Sequence, residues 1–599
     1  MRKISRITLL VSLILLLSFS IATADTVKTP AELKDLDSYI EKVMKDWKVP
    51  GLSIAIVKDG KIIYIKGFGY RDVKRKLKVA PDTVFPIGSV TKSFTALCVG
   101  LMVDDGKLEW NKPVISYLPD FRLKDPVATQ ESTPLDLLLH RTGMMGHPCM
   151  WYGADLTRRE IYEKLRFLEF GGSFREEYLY SNLMYMTTGY LVGKVSGGTW
   201  EDFVRERIFS PLGMENSSLL IEEIKKSPDY SLPYCIKDGK AKEIQFRSFD
   251  EMGPCGSINS SANDMAKYLL LHINMGKVGQ NRIISPESVK MLRTPQIIIE
   301  SGSGGKIGDV FACPGLAALE YRGNRIITGT GSVDGFHSGI SFMPGKKIGV
   351  VVLSSLDFTQ NRLPNIITYR VFDKLLKLDP IDWNGRYLKA IGGKDYGKIK
   401  KTVKDDPARL KKTSPSHPIA DYSGDFVNPG YGKISIRQKK KKLSGKFHSF
   451  IFDLHHYHYD TFLLISRDIV GSVNFTNLKL QYHADVHGDI DSLTINVGFP
   501  VKFERIPSPD LKMAEYLSKY VGDYMMAGNR ITVRLENKSL WVDFPGRGKY
   551  EIEPVTRNRF RIKKAPDQRL RFNIDKSGNV TGGVIITAGG SLYFKKSGD

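Results

Sequence analysis

The chain has 599 residues, of which 42% are hydrophobic and 26% are charged, and its formal net charge is +23. This length predicts more than one domain, and the ordinary apolar and charged fractions exclude wholesale disorder. The positive charge is spread along the chain without a nucleic-acid-binding motif, so we expect no nucleic-acid partner.

The first residues have the pattern of a secretory signal peptide. Basic residues precede an uncharged apolar run, 7–21, and Ala22-Thr23-Ala24 follows as a cleavage-site pattern. We expect residues 1–24 to be removed and the protein to be exported, to the extracellular space or the cell envelope. An uncleaved anchor helix is the alternative, although the run is short for a membrane span. An anionic envelope surface would suit the basic charge of an exported protein, and a simply solvated surface is the alternative.

A hairpin is predicted early in the mature chain. Two β-rich runs, 51–56 and 61–67, flank Asp59-Gly60. An Asp-Gly pair between such runs favours a tight turn, because both residues accept positive φ angles.

A serine and a lysine stand at the start of the next element. From Ser89 to about Asp104, apolar residues recur at helical spacing and predict a helix. Ser89 and Lys92 share one face of its first turn, so the amine can lie beside the hydroxyl. A serine is a poor nucleophile until a base takes its proton, and a partly desolvated lysine can serve as that base. The pair therefore predicts a catalytic nucleophile and its base.

The rest of the first domain alternates helices and strands. The region of about 135–275 mixes helical segments with Gly-rich loops. Strand-like runs and a final helix follow at 325–328, 336–343, 348–353 and about 364–376. Strands at both ends with helices between them predict an α+β domain over residues 25–383, with an antiparallel sheet flanked by helices.

Two β-rich segments follow a lysine-rich stretch. We interpret residues 384–417 as a helical or extended linker. Tyr422-Ser423-Gly424-Asp425-Phe426 and Tyr520-Val521-Gly522-Asp523-Tyr524 open two similar segments, which predict small antiparallel β-domains, barrels or sandwiches, at 418–508 and 509–599. The densest basic run, Lys439-Lys440-Lys441-Lys442, lies in a predicted hairpin turn.

Several motifs resemble the serine β-lactamase and penicillin-binding family, specifically class C β-lactamases, DD-peptidases and related esterases. The resemblance covers about residues 30–380. Ser89-Val90-Thr91-Lys92 is similar to the first motif of that family, and Tyr180-Ser181-Asn182 to its Y-x-N motif. The run 134–143 resembles the loop that follows the nucleophile helix, in which we expect His140 to organise the loop. The resemblance implies a β-lactamase/transpeptidase-like fold.

The resemblance also implies roles for these residues. Tyr180 would exchange protons with Lys92, and Asn182 would hold the substrate amide. A phenol beside an ammonium can act as a base and then return the proton to the leaving group. An ordinary core aromatic is the alternative reading of Tyr180.

The third motif has two candidate registers. His337-Ser338-Gly339 is one, and Gly329-Thr330-Gly331-Ser332 is the other. We favour the second, because Gly335-Phe336 and Met343-Pro344 then also fall at family-like positions. This register implies that Thr330 and Gly331 contact substrate and that the backbone N–H groups of Ser89 and Ser332 form the oxyanion hole.

The favoured register replaces the basic residue of the family with Gly329. Loss of a charged hydrogen bond costs about 1.5–3 kcal/mol, so we expect poor activity on β-lactams and C-terminal carboxylates. His337 is then either a strand histidine without a catalytic role or a substitute cation. We hypothesise that it compensates in part for Gly329.

Together these features predict an exported serine hydrolase that forms an acyl-enzyme on amide or ester substrates, such as small peptides. Peptidase, esterase and β-lactamase activity remain open, as does the oligomeric state. We expect no metal or organic cofactor. A catalytically silent binding protein on the same fold and an envelope-adhesion protein that uses its β-domains are the alternatives.

Two further residue sets allow other roles. His456, His458 and Asp460 would share one face of a strand and could bind a metal, but a half-exposed strand also explains them. Five cysteines in an exported chain allow one or two disulfides, although isolated core residues are the favoured interpretation.

Overall fold

The computed structural model describes residues 29–302, 306–357, 359, 361–391, 406–467 and 477–598. The predicted signal peptide, residues 1–24, lies outside the described residues. Across the described ranges, no helix has the length and apolar character that a membrane crossing requires.

A nine-stranded antiparallel sheet forms the centre of the first domain. The strands of this domain are β1 (Gly51–Lys58), β2 (Lys61–Asp72), β3 (Leu77–Lys78), β4 (Phe85–Pro86), β5 (Tyr234–Lys237), β6 (Lys240–Glu243), β7 (Asn259–Ser260), β8 (Lys277–Val278), β9 (Asn281–Arg282), β10 (Ile297–Glu300), β11 (Ile307–Cys313), β12 (Leu316–Tyr321), β13 (Asn324–Val333), β14 (Phe336–Met343) and β15 (Ile348–Ser354). The sheet order is β10-β11-β12-β13-β14-β15-β1-β2-β3, so the two ends of the domain meet at the β15–β1 pair. The predicted turn joins β1 to β2, with φ angles of 48° at Asp59 and 80° at Gly60.

Helices cover both faces of this sheet. They are α1 (Leu36–Trp47), α2 (Thr91–Asp104), α3 (Pro126–Glu131), α4 (Pro134–Leu138), α5 (Pro148–Trp151), α6 (Arg158–Lys164), α7 (Asn182–Ser196), α8 (Trp200–Val204), α9 (Ser210–Leu212), α10 (Ile221–Ile224), α11 (Gly253–Gly256), α12 (Ala262–Ile273), α13 (Pro286–Met291), α14 (Leu363–Leu375) and α15 (Trp383–Ala390). The α+β fold predicted from the sequence is confirmed.

Strand β1 shows how the two helical layers pack on opposite faces of the sheet. Leu52, Ile54 and Ile56 belong to the core that includes α1 and α14. Ala55 and Val57 point the other way, into the core built around α2 and α12. Successive side chains of a strand alternate between faces, and the mostly apolar run of β1, which Ser53 alone interrupts before Lys58, therefore suits a strand that is buried on both sides.

Two closed eight-stranded barrels follow the first domain. The first contains β16 (Gly424–Asn428), β17 (Gly432–Lys439), β18 (Lys442–Phe447), β19 (Phe450–His458), β20 (Thr461–Ser466), β21 (Leu478–Ala484), β22 (Ile490–Asn496) and β23 (Pro500–Ile506). The second follows helix α16 (Ala514–Ser518) and contains β24 (Gly522–Met526), β25 (Asn529–Glu536), β26 (Ser539–Phe544), β27 (Gly548–Thr556), β28 (Arg559–Ile562), β29 (Ala565–Ile574), β30 (Val580–Thr587) and β31 (Gly590–Lys596). Because each barrel is closed, every strand edge is paired with a neighbouring strand. The prediction of two small antiparallel β-domains is confirmed, and both are barrels.

The first barrel packs on a segment that we name the docking loop, residues 146–153. His147 Nδ1 accepts a hydrogen bond from Tyr431 Oη at 2.6 Å. The rings of Tyr152 and Phe450 stack with centroids 5.7 Å apart. The buried residues of this barrel form one continuous hydrophobic core with those of the first domain, so the two units are packed as one body.

The second barrel is attached differently. Its buried residues form a separate core around Tyr520 and Tyr524. It meets the first barrel through polar contacts, among them Arg569 Nη2 to Asp485 Oδ2 at 3.0 Å and His487 Nε2 to the Asp567 carbonyl oxygen at 2.7 Å.

Candidate active site

Ser89 lies in a 3-10 turn, Gly88–Val90, that leads from strand β4 into helix α2. Gly88 adopts a φ of 52°, and a Cβ at this position would come within 2.5 Å of the Ser332 nitrogen. Only glycine fits both this angle and this close approach. The turn therefore carries Ser89 directly beside strand β13, and this residue is half-buried.

Lys92 is 3% exposed, and three oxygen atoms surround its amine. Its Nζ lies 3.0 Å from Ser89 Oγ, 2.7 Å from Asn182 Oδ1 and 2.9 Å from the Cys255 carbonyl oxygen. An ammonium has three hydrogens, so these contacts satisfy it completely and fix its position. The predicted serine–lysine pair is therefore brought together by the fold.

Tyr180 contacts both the serine and the lysine. Its Oη lies 2.8 Å from Ser89 Oγ, and its ring lies over Lys92 Nζ at 4.9 Å from the centroid. Tyr180 is 44% exposed, which is unlike an ordinary core aromatic and leaves room for a substrate. Asn182 is the first residue of α7, so the Y-x-N run places one side chain on the serine and the other on the lysine.

His140 holds the tyrosine segment in place. Its Nδ1 accepts a hydrogen bond from the Ser181 backbone N–H at 3.0 Å. Burial and the charge of Lys92 keep the pKa of this imidazole well below its usual value, so the ring is neutral. Its backbone carbonyl also accepts from Leu179 N at 2.8 Å. These contacts confirm the predicted role of His140 as a loop organiser.

Strand β13 supplies the other wall of the site. A Cβ on Gly331 would lie 1.9 Å from the Ile87 carbonyl oxygen and 2.8 Å from Ser89 N. Ser338 Oγ on the neighbouring strand donates to the same Ile87 carbonyl at 2.6 Å. The backbones of Ser89 and Ser332 are therefore packed side by side, which is the arrangement that a two-amide oxyanion hole requires.

A cavity of about 150 Å³ opens beside the serine. Ser89, Lys92 and Tyr180 line one part of it, and Gly329 and the exposed Thr330 line another. Of the two candidate third motifs, Gly329-Thr330-Gly331-Ser332 is therefore the one that lies beside Ser89.

His337 does not compensate for Gly329. It is 5% exposed, and its Nδ1 lies 3.0 Å from the Asn361 carbonyl oxygen, to which it donates. Burial lowers its pKa to about 3, so the ring is neutral at ordinary pH. A neutral imidazole that is bonded to Asn361 cannot act as a substitute cation, and the compensation hypothesis is wrong.

The histidine-rich strand of the first barrel makes contacts within the protein. His456 Nε2 donates to the Tyr459 carbonyl oxygen at 2.9 Å, and Asp460 accepts from Ser416 Oγ at 2.7 Å. Among the described residues, no group of three His, Cys, Asp or Glu side chains is arranged to hold a metal ion.

All five cysteines are buried and unpaired. This agrees with their interpretation as isolated core residues. Cys255 contributes to the site only through its carbonyl oxygen.

Three features of the site were missed by sequence reasoning. They are the Cys255 carbonyl on Lys92, Tyr185, whose Oη accepts from Gly315 N at 2.8 Å, and Leu316 beside Gly329. Each depends on segments that are far apart in the chain, so no local sequence pattern reveals it.

Comparison with known proteins identifies the family. A family model described as Beta-lactamase matches residues 36–370, and a model described as a domain of unknown function, DUF3471, matches residues 408–510. The first match covers more than half of the chain, and the chain therefore belongs to the Beta-lactamase family.

Two relatives with known names match more than half of this chain. Unguisins hydrolase ungD of Aspergillus violaceofuscus is 27% identical over 447 residues, which is 69% of this chain and 77% of the relative. Protein flp of Staphylococcus aureus strain MW2 is 24% identical over 331 residues, which is 54% of this chain and 63% of the relative. The octameric penicillin-binding protein homologue from Pyrococcus abyssi has a similar structure, with a TM-score of 0.52, 23% identity, and coverage of 86% of this chain and 98% of its own.

Proposed function

We propose that this member of the Beta-lactamase family is an exported serine hydrolase that cleaves amide or ester bonds through an acyl-enzyme on Ser89. One observation carries the proposal: Ser89 Oγ lies 3.0 Å from Lys92 Nζ and 2.8 Å from Tyr180 Oη. A nucleophile in contact with both a proton acceptor and a second proton-handling group can complete both halves of an acyl transfer.

Acylation uses Lys92 as the base. In its neutral form, its two N–H bonds can remain on Asn182 Oδ1 and the Cys255 carbonyl, so that its lone pair faces Ser89 Oγ. The Ser89 oxygen attacks the substrate carbonyl carbon while its proton moves to Lys92. The backbone N–H groups of Ser89 and Ser332 stabilise the oxyanion. Tyr180 then donates its proton to the leaving nitrogen or oxygen as that bond breaks.

Deacylation restores every proton. The acyl-enzyme contains the Tyr180 phenolate beside the Lys92 ammonium, an arrangement that their proximity stabilises. A water molecule gives a proton to the phenolate and attacks the acyl carbon. The Ser89 oxygen leaves with the proton held by Lys92, and the carboxylic acid product is released.

Substrate contacts follow from the same geometry. Since Asn182 Oδ1 is bonded to Lys92, Asn182 would meet a substrate carbonyl through its Nδ2 donor. Thr330 and Gly331 would lie along the bound substrate on the edge of β13. The hydrolase name of the relative from Aspergillus violaceofuscus agrees with an amide or ester substrate.

Export, envelope contact and self-association are further parts of the proposal. The N-terminal pattern supports export, which N-terminal sequencing of the secreted protein would test. The charge of +23 supports contact with an anionic envelope, which salt-dependent binding to isolated envelopes would test. The octameric relative motivates a measurement of molar mass by light scattering.

Stopped-flow hydrolysis of a nitrophenyl ester tests the chemistry. We expect a burst followed by slower turnover, because the acyl-enzyme forms faster than it decays. Ser89→Ala should lose both phases, and Tyr180→Phe should slow acylation by about 10²–10⁴-fold. A signal that persists in Ser89→Ala, or no signal in the intact protein, would favour a binding protein on the same fold.

A further inference from the structure

We propose that the cavity beside Ser89 selects substrates whose leaving group is uncharged and carries an apolar part about the size of a phenyl ring. Leu316 is the residue that sets this preference. The inference rests on the proposed function, because it assigns a substrate class to the same site.

Leu316 occupies the space that a side chain at position 329 would need. A Cβ on Gly329 would lie 2.8 Å from Leu316 Cδ2, and Leu316 itself is 7% exposed. The two residues adjoin the last residue pair of strands β12 and β13, Ala317 with Thr328. An isobutyl group therefore fills the wall of the cavity at the position where a cation is expected from the family resemblance.

The remaining wall is apolar or neutral. Ile299, Ala312 and Ala317 line the far part, with Tyr178 on the helical side. His140 is also a lining residue, but its ring is neutral because burial lowers its pKa.

A carboxylate would find no counter-ion here. Of the described residues that line the cavity, Lys92 is the only lysine or arginine, and its amine is already held by Ser89, Asn182 and the Cys255 carbonyl. Burial of an unpaired carboxylate is costly, whereas an apolar group gains from leaving water.

The position of Tyr180 identifies which part of the substrate enters the cavity. Its Oη lies 2.8 Å from Ser89 Oγ and on the wall of the same cavity. The group that protonates the leaving atom must lie within hydrogen-bond reach of that atom. The cavity is therefore on the leaving-group side of the scissile bond.

The size of the cavity sets the size of the group. Its volume is about 150 Å³. A cavity of this volume with aliphatic walls holds a benzene molecule. A benzyl side chain fits, and a methyl group would leave most of the space unfilled.

Three acetyl esters test the preference. Their leaving groups are 3-phenyllactamide, 3-phenyllactate and lactamide, with each enantiomer assayed separately. We expect kcat/KM for the phenyllactamide ester to exceed both others by about tenfold or more, since filling a hydrophobic pocket is worth roughly 10–200-fold. Equal or faster hydrolysis of the phenyllactate ester would overturn the inference.

A variant that restores a cation provides the second test. In Leu316→Ala/Gly329→Lys, the ratio of kcat/KM values should shift toward the phenyllactate ester, because space and charge are both supplied. Leu319→Ala is the matched control: it removes a buried leucine from the same strand, but in the core on the other face of the sheet. Its ratio should equal that of the wild type, and a ratio does not depend on the folded fraction.

The two levels of the proposal fail differently. If nitrophenyl acetate is hydrolysed in a Ser89-dependent way but the phenyl group gives no advantage, the inference is wrong and the proposed function stands. If no ester is hydrolysed in a Ser89-dependent way, both are wrong.

Discussion

The two barrels share a topology but differ in what they touch. Each is closed by eight antiparallel strands, and each begins after a buried tyrosine, Tyr422 or Tyr520. The first barrel continues the hydrophobic core of the first domain, whereas the second barrel has its own core and polar contacts to the first barrel. A repeated sequence therefore predicts a repeated fold, but the contacts of each copy decide its role.

The contacts of the first barrel lead to the active site. Phe450 stacks on Tyr152 and lies under the guanidinium of Arg247, 4.8 Å from the ring centroid. Tyr152 Oη donates to Asp334, and Arg247 Nε lies 3.1 Å from the same carboxylate. Asp334 lies in the turn directly after β13, two residues after Ser332. We therefore expect the first barrel, and not the second, to support catalysis.

Truncation should give the largest difference between the barrels. Removal of residues 509–599 leaves the shared core intact, so the protein should remain soluble and active. Removal of residues 418–599 uncovers Tyr152 and the rest of the docking loop, and it should cause aggregation and loss of activity. Size-exclusion chromatography and ester hydrolysis measure both outcomes. A soluble, fully active protein without either barrel would show that the shared core is dispensable.

A single phenylalanine in each barrel sharpens the comparison. Phe450→Ala should cost about 3–5 kcal/mol of stability and should also lower kcat, because Tyr152 and Arg247 lose their packing partner. Phe594→Ala removes a ring that is 3% exposed in the second barrel, so it should destabilise that barrel and leave kcat unchanged. Denaturant unfolding and ester kinetics separate these effects. Equal kcat in both variants would contradict a supporting role for the first barrel.

Acidification should act on the first interface. Burial lowers the pKa of His147 and of His448 to about 4, from 6.5. Between pH 4 and pH 6.5 the two histidines are protonated in the unfolded chain but not in the folded interface. Their contribution to stability is therefore complete above pH 6.5 and is lost as the pH falls toward 4. For His147 the loss at pH 5 is about 2 kcal/mol.

Residues 509–599 contain no histidine, so the second barrel provides the internal control. Hydrogen exchange at pH 7 and pH 5, corrected for the intrinsic rate, should show loss of protection in the docking loop and not in β24–β31. The loss should be smaller in His147→Gln. An equal loss of protection in both barrels would refute this account.

The contact between the barrels should give the smallest effect on ester hydrolysis. Arg569→Gln breaks the ion pair with Asp485, whose two side chains are largely buried, and should cost about 1–3 kcal/mol of stability. High salt should weaken the pair only slightly, because buried charges are screened less than exposed ones. Small-angle scattering should detect altered barrel positions with unchanged ester hydrolysis. A fall in kcat would show that the second barrel also reaches the site.

Local signals in the sequence were sufficient to predict most of the fold. The Asp59-Gly60 turn, the strand 336–343 and the repeated barrels follow from turn residues and periodicity, which depend on neighbours in the chain. The end of the first domain was harder to predict. Helix α15 overlaps the predicted linker, and its Asn384 accepts from Trp47 Nε1 at 2.8 Å, a contact that no local pattern reveals.

The site was partly predictable for the same reason. Ser89 and Lys92 are three residues apart on one helix, and Tyr180 and Asn182 are two apart, so spacing alone grouped each pair. The carbonyl of Cys255 on Lys92 and the filling of the Gly329 position by Leu316 join distant segments. Such contacts arise from packing, and the sequence pattern does not contain them.

Mass spectrometry of the protein, quenched during turnover of a nitrophenyl ester, tests the central claim most directly. The account predicts that the intact mass rises by one acyl group, that the added mass maps to the peptide containing Ser89, and that Ser89→Ala shows no increase. An acyl group on any other residue would contradict the account. Turnover that gives no adduct and that persists in the Ser89→Ala variant would also contradict it.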